Sequence, residues 1–133
     1  MAGCDDLRAR LDVLENELDR QFKSERQNSV LTKVLDAIST RQGNVPIAQL
    51  GCLTGWSPRH LRRIFRESIG IGPKTFCRIV RFLSAFRVLR RSPRANFLEV
   101  ALDAGYYDQA HFIHEFGDFY GSSPSTLFED SAF

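Results

Sequence analysis

Long apolar runs are missing from this chain of 133 residues. No stretch approaches the roughly 18 residues that a membrane-spanning helix needs, so no membrane association is expected. The N-terminus lacks a basic segment followed by an apolar one, so no secretory leader is expected and the chain is assigned to the cytoplasm. Cysteine is scarce: Cys4, Cys52 and Cys77 are odd in number and far apart. That excludes a disulfide framework and a zinc-ligand spacing, and leaves them as small hydrophobes in a reducing compartment. Catalytic constellations are missing as well. There is no nucleophile with a neighbouring base, no carboxylate pair and no phosphate-cradling glycine loop, so no enzyme activity and no cofactor are expected. His111, His114 and Glu115 form an H-x-x-H-E string. A zinc-protease helix carries H-E-x-x-H with its histidines four apart, so no metal site is expected there.

Charge of one sign is missing from two stretches. Residues 95–133 hold seven Asp/Glu and no Lys or Arg, a formal charge of −7. Residues 46–94 hold eleven Lys/Arg against Glu67 alone, a charge of +10, while residues 1–45 come to −1. The net +2 of the whole chain hides this division. The middle third has the footprint of a surface for polyanions, and the last third does not.

What is present is a pattern that occurs twice. Ile47-Ala48-Gln49-Leu50-Gly51 leads to Gly55-Trp56, then to Leu61 and Phe65. Phe97-Leu98-Glu99-Val100-Ala101 leads to Gly105-Tyr106, then to Phe112 and Phe116. Each copy closes on Gly-x-x-Pro, at Gly70–Pro73 and Gly121–Pro124. In each, a tiny residue (Gly51, Ala101) stands four before a glycine (Gly55, Gly105). A helix-turn-helix asks for this: the tiny residue permits a close helix crossing, and the glycine takes the positive φ of the turn. Two such units point to duplex DNA.

The remaining periodicity is helical, and with no convincing strand the fold class is all-α. An apolar content of 43% with eleven Phe supplies a core filled largely by aromatic rings. Leu7, Leu11, Leu14 and Leu18 make the seam of an N-terminal amphipathic helix. That seam either packs on the body of the chain or pairs with a second copy as a homodimer. Lys23 to Asn28 is polar and reads as a linker. Val30, Leu31, Val34, Leu35 and Ile38 form a second stripe, ending near Gln42-Gly43. Pro46 opens the helix from Ile47 to Leu53. Ser57-Pro58 opens the next, with Leu61, Ile64 and Phe65 inward and Arg59, Arg62, Arg63 and Arg66 outward. Pro73 begins a longer helix to about Arg91, with Phe76, Ile79, Val80, Leu83, Phe86 and Leu89 as its inner stripe. Asn96 with Glu99 reads as a capping box. Asp108 caps the helix that holds Gln109, His111 and His114, and Ser123-Pro124 starts a last short helix.

The stretches HLRRIFRESIGIGP (60–73), RFLSAFRVL (81–89) and GYYDQAHFIHEFGDFYGSSP (105–124) resemble the DNA-binding domain of the AraC/XylS family of bacterial transcription regulators. The resemblance covers residues 28–130. It implies two helix-turn-helix lobes on one rigid linking helix, each lobe placing its second helix in a major groove. The organisation it implies is an N-terminal helix and linker over 1–26 and a DNA-binding domain over 27–133. Within that domain the first helix-turn-helix falls at about 46–69, the linking helix at about 73–91 and the second helix-turn-helix at about 96–120. A helix over 73–91 spans about 28 Å, near the ~34 Å between major-groove entries on one DNA face. By the resemblance, the base-reading positions of the first lobe fall on Arg59, Arg62 and Arg63, and an arginine fork suits guanine. Ser57 and the helix start suit phosphate, and Arg66 belongs to the same face. In the second lobe the reading positions fall on Gln109, Ala110, His111 and His114.

Two departures stand out. Gly117-Asp118 replaces the basic pair usual in the family. Only about 27 residues precede the match, where many members carry an effector domain, so the chain is either a small stand-alone regulator or a fragment that begins in an interdomain linker. The expected partners are double-stranded DNA, then RNA polymerase and a second copy of the chain. The first lobe is expected to anchor and the second to dock weakly. The rival expectation is a protein-binding adaptor that uses the acidic second lobe and the leucine seam.

Overall fold

The structure, a computed structural model, describes the backbone of residues 2–129 and the side chains of residues 9–127. Among them are seven helices and no strand, so the expected all-α class holds. The chain divides into two compact units, Met1–Leu35 and Asp36–Phe133.

The first unit belongs to a single helix, α1 (Ala2–Thr40). The polar segment read as a linker, Lys23 to Asn28, is helical, and the two separate stripes lie on one continuous helix. The reason is local. Polarity alone does not end a helix; glycine and proline do, and none occurs between Gly3 and Gly43. Arg20 pairs with Glu17 one turn away, and Thr32 Oγ1 donates to the Asn28 carbonyl. Leu11, Leu14 and Leu18 are exposed, as are Val13 and Phe22. Leu7 lies outside the described side chains.

The second unit holds both lobes. A left-handed turn at Gln42 (φ 55°) and Gly43 (φ 81°) follows α1. The first lobe is α2 (Ile47–Thr54) and α3 (Pro58–Ser68), closed by Leu50, Leu61, Ile64 and Phe65, all buried. Then comes α4 (Pro73–Arg91), the linking helix. The second lobe is α5 (Phe97–Asp103) and α6 (Gln109–Tyr120), followed by the short α7 (Thr126–Glu129).

The linking helix serves both lobes. Toward the first, Phe76 meets Phe65 edge to face at 5.8 Å. Toward the second, Phe82, Ala85 and Leu89 join Val100, Ala101, Tyr106, Phe112 and Phe116 in one core. The expected inner stripe of α4 is therefore partly wrong. Leu83 is exposed, while Cys77, Phe82 and Ala85 are buried in its place. A helix packed on two sides carries apolar residues around much of its circumference, so a single stripe cannot be read from periodicity alone.

Both helix-turn-helix glycines have the expected positive φ, Gly55 at 73° and Gly105 at 92°. The Gly55 amide donates to the Gly51 carbonyl at 2.8 Å, closing α2. The tight approach at Gly51 is to the turn and not to the facing helix, for a Cβ there would lie 3.3 Å from the Trp56 carbonyl oxygen. The Asn96 cap closes on the Leu98 amide at 2.8 Å.

The tightest approach to backbone is at Gly43, which sequence reading passed over. A Cβ there would stand 2.3 Å from the Cys77 carbonyl oxygen and 2.9 Å from the Arg81 nitrogen, both backbone of α4. At Gly55 a Cβ would meet nothing within 4 Å. Gly55→Ala therefore costs only the left-handed backbone, about 1–2 kcal/mol. Gly43→Ala adds a clash with backbone that cannot move aside, and the expected loss is ~2 kcal/mol greater. Urea unfolding of the two variants checks the order; equal midpoints would remove the Gly43 contact from the argument.

Candidate nucleic-acid interface

The first lobe builds its site on the exposed face of α3. Ser57 caps the helix, its Oγ accepting from the His60 amide at 3.1 Å, and Pro58 fills the first turn. With Leu61, Ile64 and Phe65 buried, the helix has one orientation available. That orientation turns Arg59, Arg62, Arg63 and Arg66 outward, all four exposed. Together with Ser57, His60 and Glu67 they line an open concavity. The structure thus brings together every first-lobe residue that the sequence singled out.

His60 was overlooked. Its ring stands edge-on to Trp56 at 5.3 Å, and its Nδ1 lies 2.9 Å from Nη2 of Arg63. Arginine can only donate, so His60 Nδ1 is the acceptor in this contact. The Trp56–His60 stack thereby holds one guanidinium in place, which reduces the side-chain entropy that Arg63 loses on binding. The readable signal was the i, i+3 spacing of His60 and Arg63 and the i, i+4 spacing of Trp56 and His60.

The second lobe differs. Asp108 caps α6 through the His111 amide at 2.7 Å. Gln109 is half-buried, and His114 is more exposed than His111, with its Nε2 3.7 Å from Asp118. His111 is turned toward the protein: its ring meets Tyr106 at 5.2 Å and its Nε2 lies 3.6 Å from Glu115 Oε2. The expected face is therefore split: His114 is exposed, Gln109 is half-buried, and His111, though exposed, is engaged by Tyr106 and Glu115.

Glu115 is the largest departure from expectation. It is 2% exposed, on the same inner face of α6 as Phe112 and Phe116. Arg78 of α4 donates to it from Nε at 3.0 Å and reaches Asp118 from Nη2 at 3.9 Å. Nearby, Glu115 Oε2, the Tyr106 hydroxyl and Arg81 Nε have no hydrogen-bond partner among the described residues. Burial pushes the Tyr106 hydroxyl well above the usual phenol range, the Glu115 carboxylate adds to the rise, and Arg81 and Arg78 oppose it. Burial also pushes the Cys77 thiol up against the pull of Arg81, so it stays a neutral core group. Cys52, by contrast, is exposed. Among the described residues, no cluster of His, Cys, Asp and Glu could hold a metal, and no helix is long and apolar enough to cross a membrane.

A capped helix behind a glycine turn, occurring twice on a shared linking helix, is an arrangement also found in known proteins. A family model described as a helix-turn-helix domain matches residues 50–130. A solved structure of a probable AraC family transcriptional regulator from Rhodopseudomonas palustris superposes with a TM-score of 0.66 at 26% identity, covering 77% of this chain and 96% of that one. The chain belongs to the AraC-type helix-turn-helix family. Members of this family are DNA-binding transcription-regulator domains. A DNA-binding transcriptional dual regulator from Escherichia coli K-12 shares the fold, with a TM-score of 0.65 at 23% identity over 77% of this chain and 92% of that one. An uncharacterized HTH-type transcriptional regulator of Haemophilus influenzae is 33% identical over 85% of this chain and 37% of its own length. The XylDLEGF operon transcriptional activator of Pseudomonas putida is 29% identical over 86% of this chain and 36% of its own length. The chain thus spans about a third of the length of these relatives.

Proposed function

We propose that this chain is a sequence-specific regulator of transcription that grips double-stranded DNA mainly through its first lobe. The observation that carries this reading is the free face of α3, where four exposed arginines surround a capped helix start. Arg59 and Arg63 are the base readers and Arg62 shares their face. Arg66, Ser57 and the amides of the helix start hold phosphate. Gln109, His111 and His114 supply the weaker second contact. RNA polymerase is a candidate second partner. The rival reading, a protein-binding adaptor, is favoured by one observation: the second lobe pairs its acidity with exposed Leu98, Leu102 and Tyr107. Steep salt dependence on duplex DNA, with a preference among sequences, separates the two.

Replacing Arg59 or Arg63 by Ala should cost ~1–3 kcal/mol on a site selected from random duplexes, and less on unselected DNA. Equal losses on both would reassign that arginine to the phosphates.

The exposed Leu11, Leu14 and Leu18 on α1 fit a two-stranded pairing of this helix with a second copy. A chain lacking residues 1–26 should remain a folded monomer that still binds a single site. Sedimentation of the intact chain as a monomer at high micromolar concentration would leave the seam without this role.

The second lobe carries its charge of −7 toward a phosphate backbone, a repulsion screened over ~8 Å at physiological salt. His111 and His114 are the histidines of this lobe. Footprints should be strong over one major groove and faint over the next. Ala at His111 and His114 should weaken the faint half further and spare the first half. Two equally protected halves at pH 8 would overturn the lopsided mode.

A further inference from the structure

We propose that a polar clasp between the lobes, built from the Gly43-Asn44 turn and the Arg78–Glu115 pair, fixes the half-site spacing that this protein accepts. The inference rests on the DNA reading above and assigns Asn44, Arg78 and Glu115 as positioning residues. Asn44 stands just before the first lobe, yet its Nδ2 donates to the Ala104 carbonyl in the turn of the second lobe at 2.8 Å. It enters a notch left by Gly105, where a Cβ would lie 2.1 Å from Asn44 Oδ1. The preceding residue, Gly43, is pressed on the backbone of the linking helix, and Arg81 Nη2 reaches the Gly43 carbonyl at 3.5 Å. One turn thus touches the linking helix and the second lobe while leading directly into α2. Lining the same cavity as Gly43, Arg78 holds the buried Glu115 of α6 at 3.0 Å.

The chemistry of these contacts is what makes them a spacing device. Apolar burial is non-directional, so the Phe-rich core tolerates small rotations of the second lobe about the linking helix. A hydrogen bond weakens steeply as its angle falls, and a buried carboxylate that loses its cation is costly, so both contacts resist rotation of the lobe. One added base pair turns the second half-site by about 35° about the DNA axis. A lobe held by the clasp cannot follow that turn, whereas a lobe held by the core alone has more freedom to do so.

The test uses the full chain with Cys4→Ser and Cys52→Ser, spin-labelled at Ser68→Cys and Asp103→Cys, both exposed at the ends of α3 and α5. Pulsed dipolar measurement should give one narrow distance between the lobes. Asn44→Ala, which changes no charge, should widen it, and adding Arg78→Met with Glu115→Leu should widen it further. A duplex selected from a random pool is then offered with one, two or three base pairs inserted between its halves. The starting chain should lose on the order of tenfold in affinity with the first insertion. Asn44→Ala should flatten that dependence and bind the first half-site alone as before. If the triple variant fails to fold, Asn44→Ala carries the test by itself. A distance that stays narrow, or a spacing dependence that stays steep, overturns the proposal. If no duplex is enriched, the DNA reading falls, and the distance distribution alone then decides whether the clasp exists.

Discussion

The second unit depends on one constraint: a single linking helix must complete two cores at once. Each lobe takes part of its core from that helix. The first closes by setting Phe65 against Phe76, and the second by drawing Phe82, Ala85 and Leu89 into its aromatic cluster. A short helix gains most of its stability from burial of one face and little from intrinsic propensity. The linking helix therefore stabilises α3 and α6 as well as connecting them. It also sets where their outer faces point, because the residues that each recognition helix buries leave one orientation for the rest.

That arrangement separates two electrostatic tasks. Around α3 the outward face is cationic, and the cap hydroxyl and proline fix the helix start from which a major groove would be read. Around α6 the same architecture carries acids. Asp118 lies beside His114, and Glu115 lies beneath His111. The nearest guanidinium, Arg78, comes from the linking helix and turns inward to the buried acid. The repeated pattern is thus a repeat of packing and not of charge. The tiny residue, the turn glycine and the two inner apolar positions recur because the fold needs them, while the outward residues are free to diverge.

The sequence revealed what local chemistry decides. The caps at Ser57, Asn96 and Asp108, the positive φ of Gly55 and Gly105, and the outward arginines of α3 could all be read from neighbours within four residues. Three features needed more. The continuity of α1 through Lys23–Asn28 was misread because polarity was taken for a break. The exposure of Leu83 depended on knowing that α4 has two partners. Asn44 sits in a stretch, Gln42 to Pro46, that looks like any loop, and its partner Ala104 lies 60 residues away.

Glu115 belongs to a different class, because part of its role was legible and went unread. Phe112, Glu115, Phe116 and Phe119 fall on one face of a helix at spacings of three and four. An acid on a buried stripe is tolerated when a cation and hydrogen bonds meet it, since burying an isolated carboxylate is far too costly. The stripe therefore required a basic partner from another element, in a lobe with no lysine or arginine of its own. That requirement points to the linking helix, whose inward cations are drawn from Arg78, Arg81 and their neighbours. Periodicity can establish that such a partner exists and on which element it stands. Only the crossing of α4 and α6 decides that it is Arg78.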